Sequence, residues 1–266
     1  MNIVLFDMDG TLTPPRKKIT KSVIKQLKSL SEVSEIGIVT GSGIDYLLQQ
    51  CEDLWSGKGC VNPEKITLMP CNGTQVFKWK DGNFIKTFSA NMREELGDEK
   101  FDNLMSFLIR HQFLYTQLSS GLPLTGHHIS YRESLVNWCP IGRNANDEQR
   151  KKFSIHDKEY GVRKTLKKSI EKFSNESGLE DIVFTLGGST SIDVYPKGWD
   201  KTFSLSHFDK HVCWFVGDKC TDDGNDRTIY EKLLKSGKGF KTIDPSNTVE
   251  IIKNIKKKIA QTAEGK

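Results

Sequence analysis

The chain has 266 residues, of which 36% are hydrophobic and 27% are charged, and its formal net charge is +5. These proportions are typical of a folded globular protein, and no segment approaches the ~20 consecutive apolar residues that a membrane helix requires. No secretory or transit segment is recognisable at the start of the chain, so we expect a cytoplasmic protein without a membrane partner.

Two further compositional features exclude other classes of site. The six cysteines contain no CxxC pair, which predicts free thiols in a cytoplasmic protein and not zinc ligands or disulfides. The lysines between positions 253 and 258 lack interleaved aromatic residues, so they indicate the solvated face of a helix. We therefore expect no nucleic-acid partner.

The N-terminal part of the chain alternates between short apolar runs and helical spacing. Buried strands and helices are predicted in turn over residues 2–6, 19–30, 36–39, 44–54 and 66–69. Thr20 is the predicted N-cap of the first helix. Strands that alternate with helices across glycine-rich connections predict a doubly wound α/β core.

The middle of the chain has a different pattern. Residues 74–88 alternate between apolar and polar side chains around Asp81-Gly82, which predicts a hairpin. The segments that follow are a helix over 98–111, a β-rich stretch over 127–141, a charged helical region up to residue 174, and two strands over 181–196. This mixture of helices and antiparallel strands predicts an α+β insert.

The α/β alternation resumes after Trp199, with elements predicted over residues 212–216, 226–234, 240–243 and 247–259. The predicted fold class is therefore α/β. Its parallel-sheet core is formed by residues 1–86 and 197–266, and an α+β cap of residues 87–196 is inserted into it.

Acidic residues follow two of the predicted strands. Asp7 and Asp9 come directly after the first strand, and the acid-rich segment 217–226, which includes Asp218, follows the strand over 212–216. Ligand sites of parallel sheets lie beyond the carboxyl ends of the strands, so the two segments should converge. Converging carboxylates favour the binding of Mg²⁺. Asp7 could then form an aspartyl phosphate while Asp9 transfers a proton. One acidic pair is common in turns, but two such segments indicate phosphoryl transfer.

Three arginines fall in different predicted elements of the cap: Arg132 in an alternating strand, Arg143 beyond its partner strand and Arg150 early in a helix. If they converge, they can hold a phosphate dianion through bidentate contacts; the alternative is that each is a surface arginine.

Ser191 and Asp193 share one face of a later strand, where they either bind sugar hydroxyls or form a solvent-facing edge.

Four segments of the chain, residues 7–13, Ser42, Lys201 and residues 217–226, resemble the four motifs of the haloacid-dehalogenase superfamily of phosphohydrolases and phosphomutases. The resemblance implies a Rossmann-like core with an inserted cap. Without it, Ser42 would be interpreted as a helix N-cap and Lys201 as a surface lysine.

The same resemblance implies a role for each motif residue. Asp7 is the expected nucleophile, and Asp9 is the expected general acid and base. Ser42 is expected to hold the oxygens of the transferring phosphoryl group, and Lys201 is expected to balance its charge. Asp218 is expected to bind Mg²⁺ together with Asp7 and Asp9.

Over nearly its whole length the sequence is similar to eukaryotic-type phosphomannomutases, through residues 7–14, 140–143, 191–194 and 198–201. That resemblance implies interconversion of mannose 6-phosphate and mannose 1-phosphate, with a hexose 1,6-bisphosphate as the activator that phosphorylates Asp7. It also implies a homodimer formed through the cap. Mannose and glucose differ at one hydroxyl, so glucose phosphates stay open as additional substrates.

By position, the resemblance assigns the contacts to the hexose phosphate substrate to Arg16, Arg132, Arg143, Arg150, Ser191 and Asp193. A mutase must bind a second phosphate away from the nucleophile and let the bisphosphate intermediate turn around, and the cap arginines fit this requirement. They favour a mutase over the second hypothesis, a sugar-phosphate phosphatase of the same superfamily. A catalytically silent phosphosugar-binding protein is the third hypothesis, and the intact acidic motifs disfavour it.

Some positions depart from the family pattern. Cys71 stands where an acid is usual, and Asp222 and Asp223 replace residues that are usually uncharged, which predicts an altered metal affinity. Lys232 lies where members of the family often carry an acidic loop for a second, structural cation. We therefore do not expect that second cation here.

Overall fold

The computed structural model describes residues 1–57, 59–118, 121–221 and 224–264. The chain divides into two compact units, of which the first comprises Met1–Ser89 with Trp199–Lys266 and the second comprises Ala90–Gly198. The first division follows the end of a strand at Ser89. It therefore falls beyond the boundary at residue 86 that the sequence pattern suggested, which would cut this strand.

The secondary structure follows the chain in a regular order. The strands are β1 (Asn2–Phe6), β2 (Glu35–Val39), β3 (Ile66–Met69), β4 (Gln75–Lys80), β5 (Asn83–Ser89), β6 (Ile129–Tyr131), β7 (Val136–Trp138), β8 (Ile182–Gly187), β9 (Ser191–Pro196), β10 (Val212–Gly217) and β11 (Gly239–Lys241). The α-helices are α1 (Lys21–Leu30), α2 (Ile44–Cys51), α3 (Met92–Leu96), α4 (Asp98–Leu118), α5 (Asp147–Tyr160), α6 (Val162–Glu176), α7 (Arg227–Leu234) and α8 (Pro245–Glu264). Short 3-10 segments cover Glu52–Leu54, Pro63–Lys65, Cys71–Gly73 and Lys201–Phe208.

The described part of the first unit is built on one sheet with the strand order β11-β10-β1-β2-β3-β4-β5. The strands from β11 to β3 are parallel, and β4 and β5 are antiparallel neighbours at one edge. β1 is central because its apolar residues are buried on both faces of the sheet. Val4 and Phe6 belong to the apolar cluster that contains α1 and α8, while Ile3 and Leu5 belong to the cluster that contains Ile229 of α7. This confirms the predicted doubly wound α/β core.

β4 and β5 form the hairpin predicted around Asp81-Gly82. Both residues have a positive φ, 51° for Asp81 and 85° for Gly82, and two-residue turns with this conformation match the twist of the strands that they join. The turn fixes the register in which Lys80 pairs with Asn83.

In the second unit, the described residues form an antiparallel sheet with the order β6-β7-β9-β8. β9 lies between two other strands, and all of its residues are buried. Helix α6 packs against β8 and β9, while α4 and α5 contribute Tyr115 and Phe153 to one apolar cluster. Helices on an antiparallel sheet are the α+β composition predicted for the insert.

Helix α4 is longer than the helix predicted over residues 98–111. Its buried residues Leu104, Leu108, His111 and Tyr115 recur at intervals of three or four. This periodicity continues beyond residue 111, and no Gly or Pro interrupts the segment up to Leu118. The apolar spacing and the absence of a helix breaker therefore extend the helix by two turns.

Other element boundaries also differ from the predictions. α2 ends at Cys51 and continues as a 3-10 segment, so the helix predicted over residues 44–54 is shorter. Thr20 stands at the N-cap of α1 as predicted, but its hydroxyl lies 3.0 Å from the hydroxyl of Ser22 and caps no backbone N–H. None of the helices in the described ranges combines the length and apolarity needed to cross a membrane.

Candidate active site

The two acidic segments of the first unit lie at the same edge of the sheet. β1 and β10 are parallel neighbours in which Phe6 pairs with Val216, so the chain leaves both strands side by side. The N–H of Asp7 donates to the carbonyl of Val216 over 2.9 Å. Carboxylate oxygens of Asp7, Asp218 and Asp226 all lie within 4.8 Å of one another. The strand order thus creates a compact cluster of three acids.

Lys201 is the cation of this cluster. Its ammonium is fully buried and donates to the carboxylate of Asp7 and, over 2.5 Å, to that of Asp226. Asp200 positions Lys201. The carboxylate of Asp200 accepts a 2.7 Å bond from the N–H of Thr202 and so caps the 3-10 segment that begins at Lys201. The sequence pattern alone indicated a surface lysine, and only the superfamily resemblance selected it.

Asp226 is a further residue of this site, and no role is predicted for it from the sequence. It ends the acidic segment 217–226 and is completely buried. One of its oxygens accepts from Lys201, and the other accepts a 3.0 Å bond from the N–H of Lys219. Both oxygens are therefore engaged, which makes Asp226 the residue that orients Lys201. Its position as the last acid of the segment was the signal that could have revealed it.

The charges of the cluster do not balance. The three carboxylates carry three negative charges against the single positive charge of Lys201. Burial, followed by the charge of Asp226, raises the pKa of Asp7 well above its ordinary value, although Lys201 opposes this shift. Burial is also the main cause that raises the pKa of Asp218. A further cation would lower the electrostatic cost of keeping these acids ionised.

The cluster suits a hard divalent cation. Its donors are carboxylate oxygens, which Mg²⁺ prefers. Oδ1 of Asp218 is buried and has no hydrogen-bond partner among the residues that the structure describes, so it is available as a ligand. Asp7 and Asp218 thus fit the predicted magnesium site.

Gly10 explains why the acidic motif needs glycine at this point. Its φ is +90°, a conformation that residues with a side chain rarely adopt. A Cβ atom at this position would collide with the carboxylate of Asp218. The bare backbone therefore lets the second acidic segment approach the first.

Asp9 lies beside this cluster but its carboxylate is not part of it. Its Oδ1 accepts two hydrogen bonds, one from the N–H of Arg16 over 3.1 Å and one from the hydroxyl of Tyr46 over 3.0 Å. Burial and the charge of Asp9 raise the pKa of Tyr46, so its hydroxyl stays protonated and donates. Tyr46 was not identified from the sequence. The role of Asp9 as a metal ligand stays a prediction.

Ser42 follows β2 in the loop that leads into α2. Its N–H donates to the hydroxyl of Thr40 over 3.1 Å, and its carbonyl accepts a 3.0 Å bond from the N–H of Cys71. The N-cap of α2 is Gly43, so the alternative interpretation of Ser42 as the N-cap is wrong by one residue. Its contact with a phosphoryl group stays a prediction. Asp222 and Asp223 lie outside the described residues.

In the second unit, Arg132 and Arg150 both lie close enough to Arg143 for their charges to act on its guanidinium, and these three residues are called the arginine group below. Loss of water around the guanidinium lowers the pKa of Arg143, and the positive charges of Arg132 and Arg150 lower it further. Arg150 lies in the first turn of α5, whose N-cap Asn146 forms a capping box. Arg132 lies one residue beyond β6 and not within a strand, because its N–H closes the β6–β7 turn by donating to Leu135.

A polar chain connects Arg143 with Asp193. The guanidinium of Arg143 donates to the side-chain oxygen of Asn137 over 2.8 Å, and the amide of Asn137 donates to the carboxylate of Asp193 over 2.6 Å. The register of β7 and β9 creates this link, since Asn137 and Asp193 are directly paired. Asn137 is a further residue of this group that no sequence pattern indicates.

Ser191 and Asp193 are both buried and lie on a central strand, which excludes the alternative of a solvent-facing edge. Buried Arg163 supports the turn before them by donating to the carbonyl oxygens of Gly188 and Ser191, each over 3.2 Å. Arg16, in contrast, belongs to the first unit and is exposed there.

Comparisons with known proteins identify relatives of this chain. The chain is similar to the phosphomannomutase of Spinacia oleracea, with 36% identity over 86% of both proteins, and to phosphomannomutase 1 of Dictyostelium discoideum, with 32% identity over 95% of this chain and 96% of the relative.

Two solved structures share the fold at low sequence identity. An IMP-bound IMP-nucleotidase of Plasmodium falciparum aligns with a TM-score of 0.61 at 15% identity, over 96% of this chain and 68% of that protein. A trehalose-6-phosphate phosphatase related protein aligns with a TM-score of 0.53 at 16% identity, over 98% of this chain and 100% of that one. They confirm the predicted fold, a Rossmann-like core with an inserted α+β cap. The family model described as eukaryotic phosphomannomutase matches residues 23–258, and the chain therefore belongs to the eukaryotic phosphomannomutase family.

Proposed function

We propose that this chain is a magnesium-dependent phosphomannomutase that interconverts mannose 6-phosphate and mannose 1-phosphate. The observation that carries the proposal is the arginine group of the second unit, Arg132, Arg143 and Arg150, because a substrate with two phosphate positions needs an anion site besides the nucleophile. Family membership and the carboxylate cluster around Asp7 support it.

The nucleophile is Asp7. Its carboxylate oxygen attacks phosphorus, so that a bond forms between Asp7 and the phosphoryl group and the bond to the sugar oxygen breaks. Lys201 holds the attacking carboxylate and offsets the negative charge that accumulates. Mg²⁺ held by Asp7 and Asp218 would offset the repulsion between the carboxylate and the incoming phosphate. Asp9, the third predicted ligand, would bind Mg²⁺ through its backbone carbonyl, because its carboxylate is used for hydrogen bonds and proton transfer.

Asp9 moves the proton. It donates to the sugar oxygen as the phosphoryl group leaves, and it accepts the hydroxyl proton when the phosphoryl group returns to a sugar. Ser42 is proposed to hold the phosphoryl oxygens during both transfers. Because both steps use the same pair of acids, a single site can catalyse the forward and the return transfer.

The complete cycle passes through a hexose 1,6-bisphosphate. Phosphorylated Asp7 transfers its phosphoryl group to mannose 1-phosphate, which gives the bisphosphate and free Asp7. The bisphosphate turns around, its 1-phosphoryl group moves to Asp7, and mannose 6-phosphate leaves. No phosphate is lost to water, and added bisphosphate primes the first turnover.

The second unit supplies the proposed substrate contacts. The arginine group binds the phosphate that does not react, and an anion there would favour the charged form of Arg143, whose pKa is lowered by loss of water and by the charges of Arg132 and Arg150. Ser191 and Asp193 bind sugar hydroxyls, and Arg16 of the first unit completes the proposed contacts. The link through Asn137 fixes Arg143 relative to Asp193.

A variant of Arg143 tests this assignment. Arg143→Ala should raise the KM for mannose 1-phosphate by roughly tenfold or more, because it removes a charge-assisted contact to the non-reacting phosphate. Lys168→Ala, which removes an exposed cation of α6 in the same unit, is the control and should leave KM unchanged. An unchanged KM in Arg143→Ala would contradict the role of the arginine group. The same assay with glucose 1-phosphate measures the preference between the two sugars.

We also propose that the protein is a homodimer formed through the second unit. Helix α4 exposes Ile109, Phe113 and Leu114, which are apolar and lie within about one and a half turns of one another. Phe113→Glu should convert a dimer to a monomer in multi-angle light scattering, whereas Lys168→Glu should not. A wild-type mass of one chain would contradict the proposal.

A further inference from the structure

Tyr46 lies in the first turn of α2, a few residues beyond the loop that carries Ser42. Its hydroxyl reaches back to the first acidic segment and donates to Oδ1 of Asp9 over 3.0 Å. The two residues are 37 positions apart, so the fold and not the local sequence creates the contact. Tyr46 is half-buried, which limits competition from water for this bond.

Within the described part of the chain, two hydrogen bonds reach the carboxylate of Asp9, and both fall on the same oxygen. The backbone N–H of Arg16 donates to Oδ1 over 3.1 Å, and the hydroxyl of Tyr46 donates to that same atom. Arg16 adopts a φ of 61°, in the left-handed region, at the point where its N–H donates to Asp9. Oδ1 is thereby held from two directions, and the rotation of the carboxylate is fixed.

We propose that Tyr46 is a positioning residue for proton transfer by Asp9, and this inference rests on the proposed function of Asp9. The Tyr46 hydroxyl holds Oδ1, so that Oδ2 is presented to the sugar oxygen. When the phosphoryl group moves to Asp7, the proton on Oδ2 goes to the leaving sugar oxygen. When the phosphoryl group returns, Oδ2 accepts the hydroxyl proton. The phenol proton stays on Tyr46 throughout.

The effect of Tyr46→Phe on kcat/KM should depend on the basicity of the leaving group. A strongly basic leaving oxygen, such as that of benzyl phosphate, requires a proton from Asp9, whereas the weakly basic oxygen of p-nitrophenyl phosphate does not. Tyr46→Phe should therefore lower kcat/KM for benzyl phosphate by about tenfold, because the hydrogen bond strengthens as Asp9 gives up its proton and becomes a charged carboxylate. For p-nitrophenyl phosphate the decrease should be less than about twofold.

A double-mutant cycle separates positioning from a general structural effect. If Tyr46 acts through Asp9, Tyr46→Phe should cause no further loss of kcat/KM for benzyl phosphate in an Asp9→Asn background. Tyr230→Phe, which removes a hydroxyl from α7 of the same unit, is the control and should show no dependence on the leaving group. The inference would be overturned if Tyr46→Phe lowered kcat/KM equally for both esters, or if it lowered kcat/KM for neither. It would also be overturned if the effects of Tyr46→Phe and Asp9→Asn were fully additive.

The result is independent of the sugar that the enzyme prefers. Both aryl and benzyl esters report the first transfer to Asp7, because kcat/KM includes the steps only up to the release of the first product. If wild-type enzyme cleaves these esters but forms no hexose 6-phosphate, the proposed mutase function fails while the role of Tyr46 is still tested. If the mutase assay succeeds and the leaving-group effect is absent, only the inference about Tyr46 fails.

Discussion

Lys201 is a fully buried cation whose two partners, Asp7 and Asp226, are themselves buried. Lys201→Met should lower the free energy of unfolding by about 3–5 kcal/mol, because it leaves two buried carboxylates without their cation. Urea denaturation followed by circular dichroism measures this change. Lys210→Met is the matched control, since Lys210 is exposed and should affect stability by less than about 0.5 kcal/mol. Equal stability of the two variants would contradict the assigned role of Lys201.

Gly10 allows the two acidic segments to meet, and its replacement tests the metal site without removing a ligand. In Gly10→Ala, the new Cβ displaces the carboxylate of Asp218 and strains a backbone with a φ of +90°. We expect the affinity for Mg²⁺ to fall by about 10- to 100-fold, as it does when groups that orient metal ligands are disturbed.

Isothermal titration with Mg²⁺ measures this affinity directly. Gly82→Ala is the control, because Gly82 also has a positive φ but a Cβ there would meet no atom within 4 Å. Gly82→Ala should strain the backbone at residue 82 but should bind Mg²⁺ with the affinity of the wild type. If both variants bind Mg²⁺ like the wild type, the cluster around Asp218 is not the magnesium site.

Individual site residues were predictable only where one element ends in a recognisable pattern. Asp7 and Asp218 follow apolar strands, and parallel strands end at one edge, so their convergence could be expected. Asp226 and Lys201 are 25 positions apart, and their bond depends on a 3-10 segment that no periodicity indicated. Tyr46 carries no sequence signal, because a tyrosine in a helix is usually a packing residue.

Helix α5 positions Arg150, and its capping box makes that element testable. Asn146 accepts a 2.9 Å bond from the N–H of Gln149, and the side chain of Gln149 accepts a 2.9 Å bond from the N–H of Asn146. Asn146→Ala should lower the free energy of unfolding by about 1 kcal/mol. Thermal denaturation measures this, with the exposed Asn144→Ala as the control. A loss no greater than that of the control would show that the cap does not stabilise α5.

At the level of elements, the sequence predicted most strands because they are apolar runs bounded by turn residues. The hairpin of β4 and β5 was predictable because Asp81-Gly82 is a specific turn signal. Helix α3 was not predicted, since its five residues are too few to show a helical period. The contact between Arg143, Asn137 and Asp193 was also hidden, because cross-strand register cannot be read from β7 and β9 separately.

For the whole molecule, the two units hold two different kinds of charge. The described part of the first unit contains the carboxylate cluster of Asp7, Asp218 and Asp226, and the second contains the arginine group. A hydrolase needs only a nucleophile, a metal site and access for water, whereas a mutase must retain a bisphosphate and transfer it back. The arginine group is the feature that distinguishes these two outcomes.

The most direct test follows the phosphate of the substrate and of its products by ³¹P nuclear magnetic resonance. Mannose 1-phosphate is incubated with enzyme, Mg²⁺ and a catalytic amount of hexose 1,6-bisphosphate, with Asp7→Asn as the control that lacks the nucleophile. We expect the signal of mannose 1-phosphate to convert to that of mannose 6-phosphate with no inorganic phosphate, and no conversion in Asp7→Asn. Release of inorganic phosphate without mannose 6-phosphate, or conversion by Asp7→Asn, would contradict a mutase that uses Asp7.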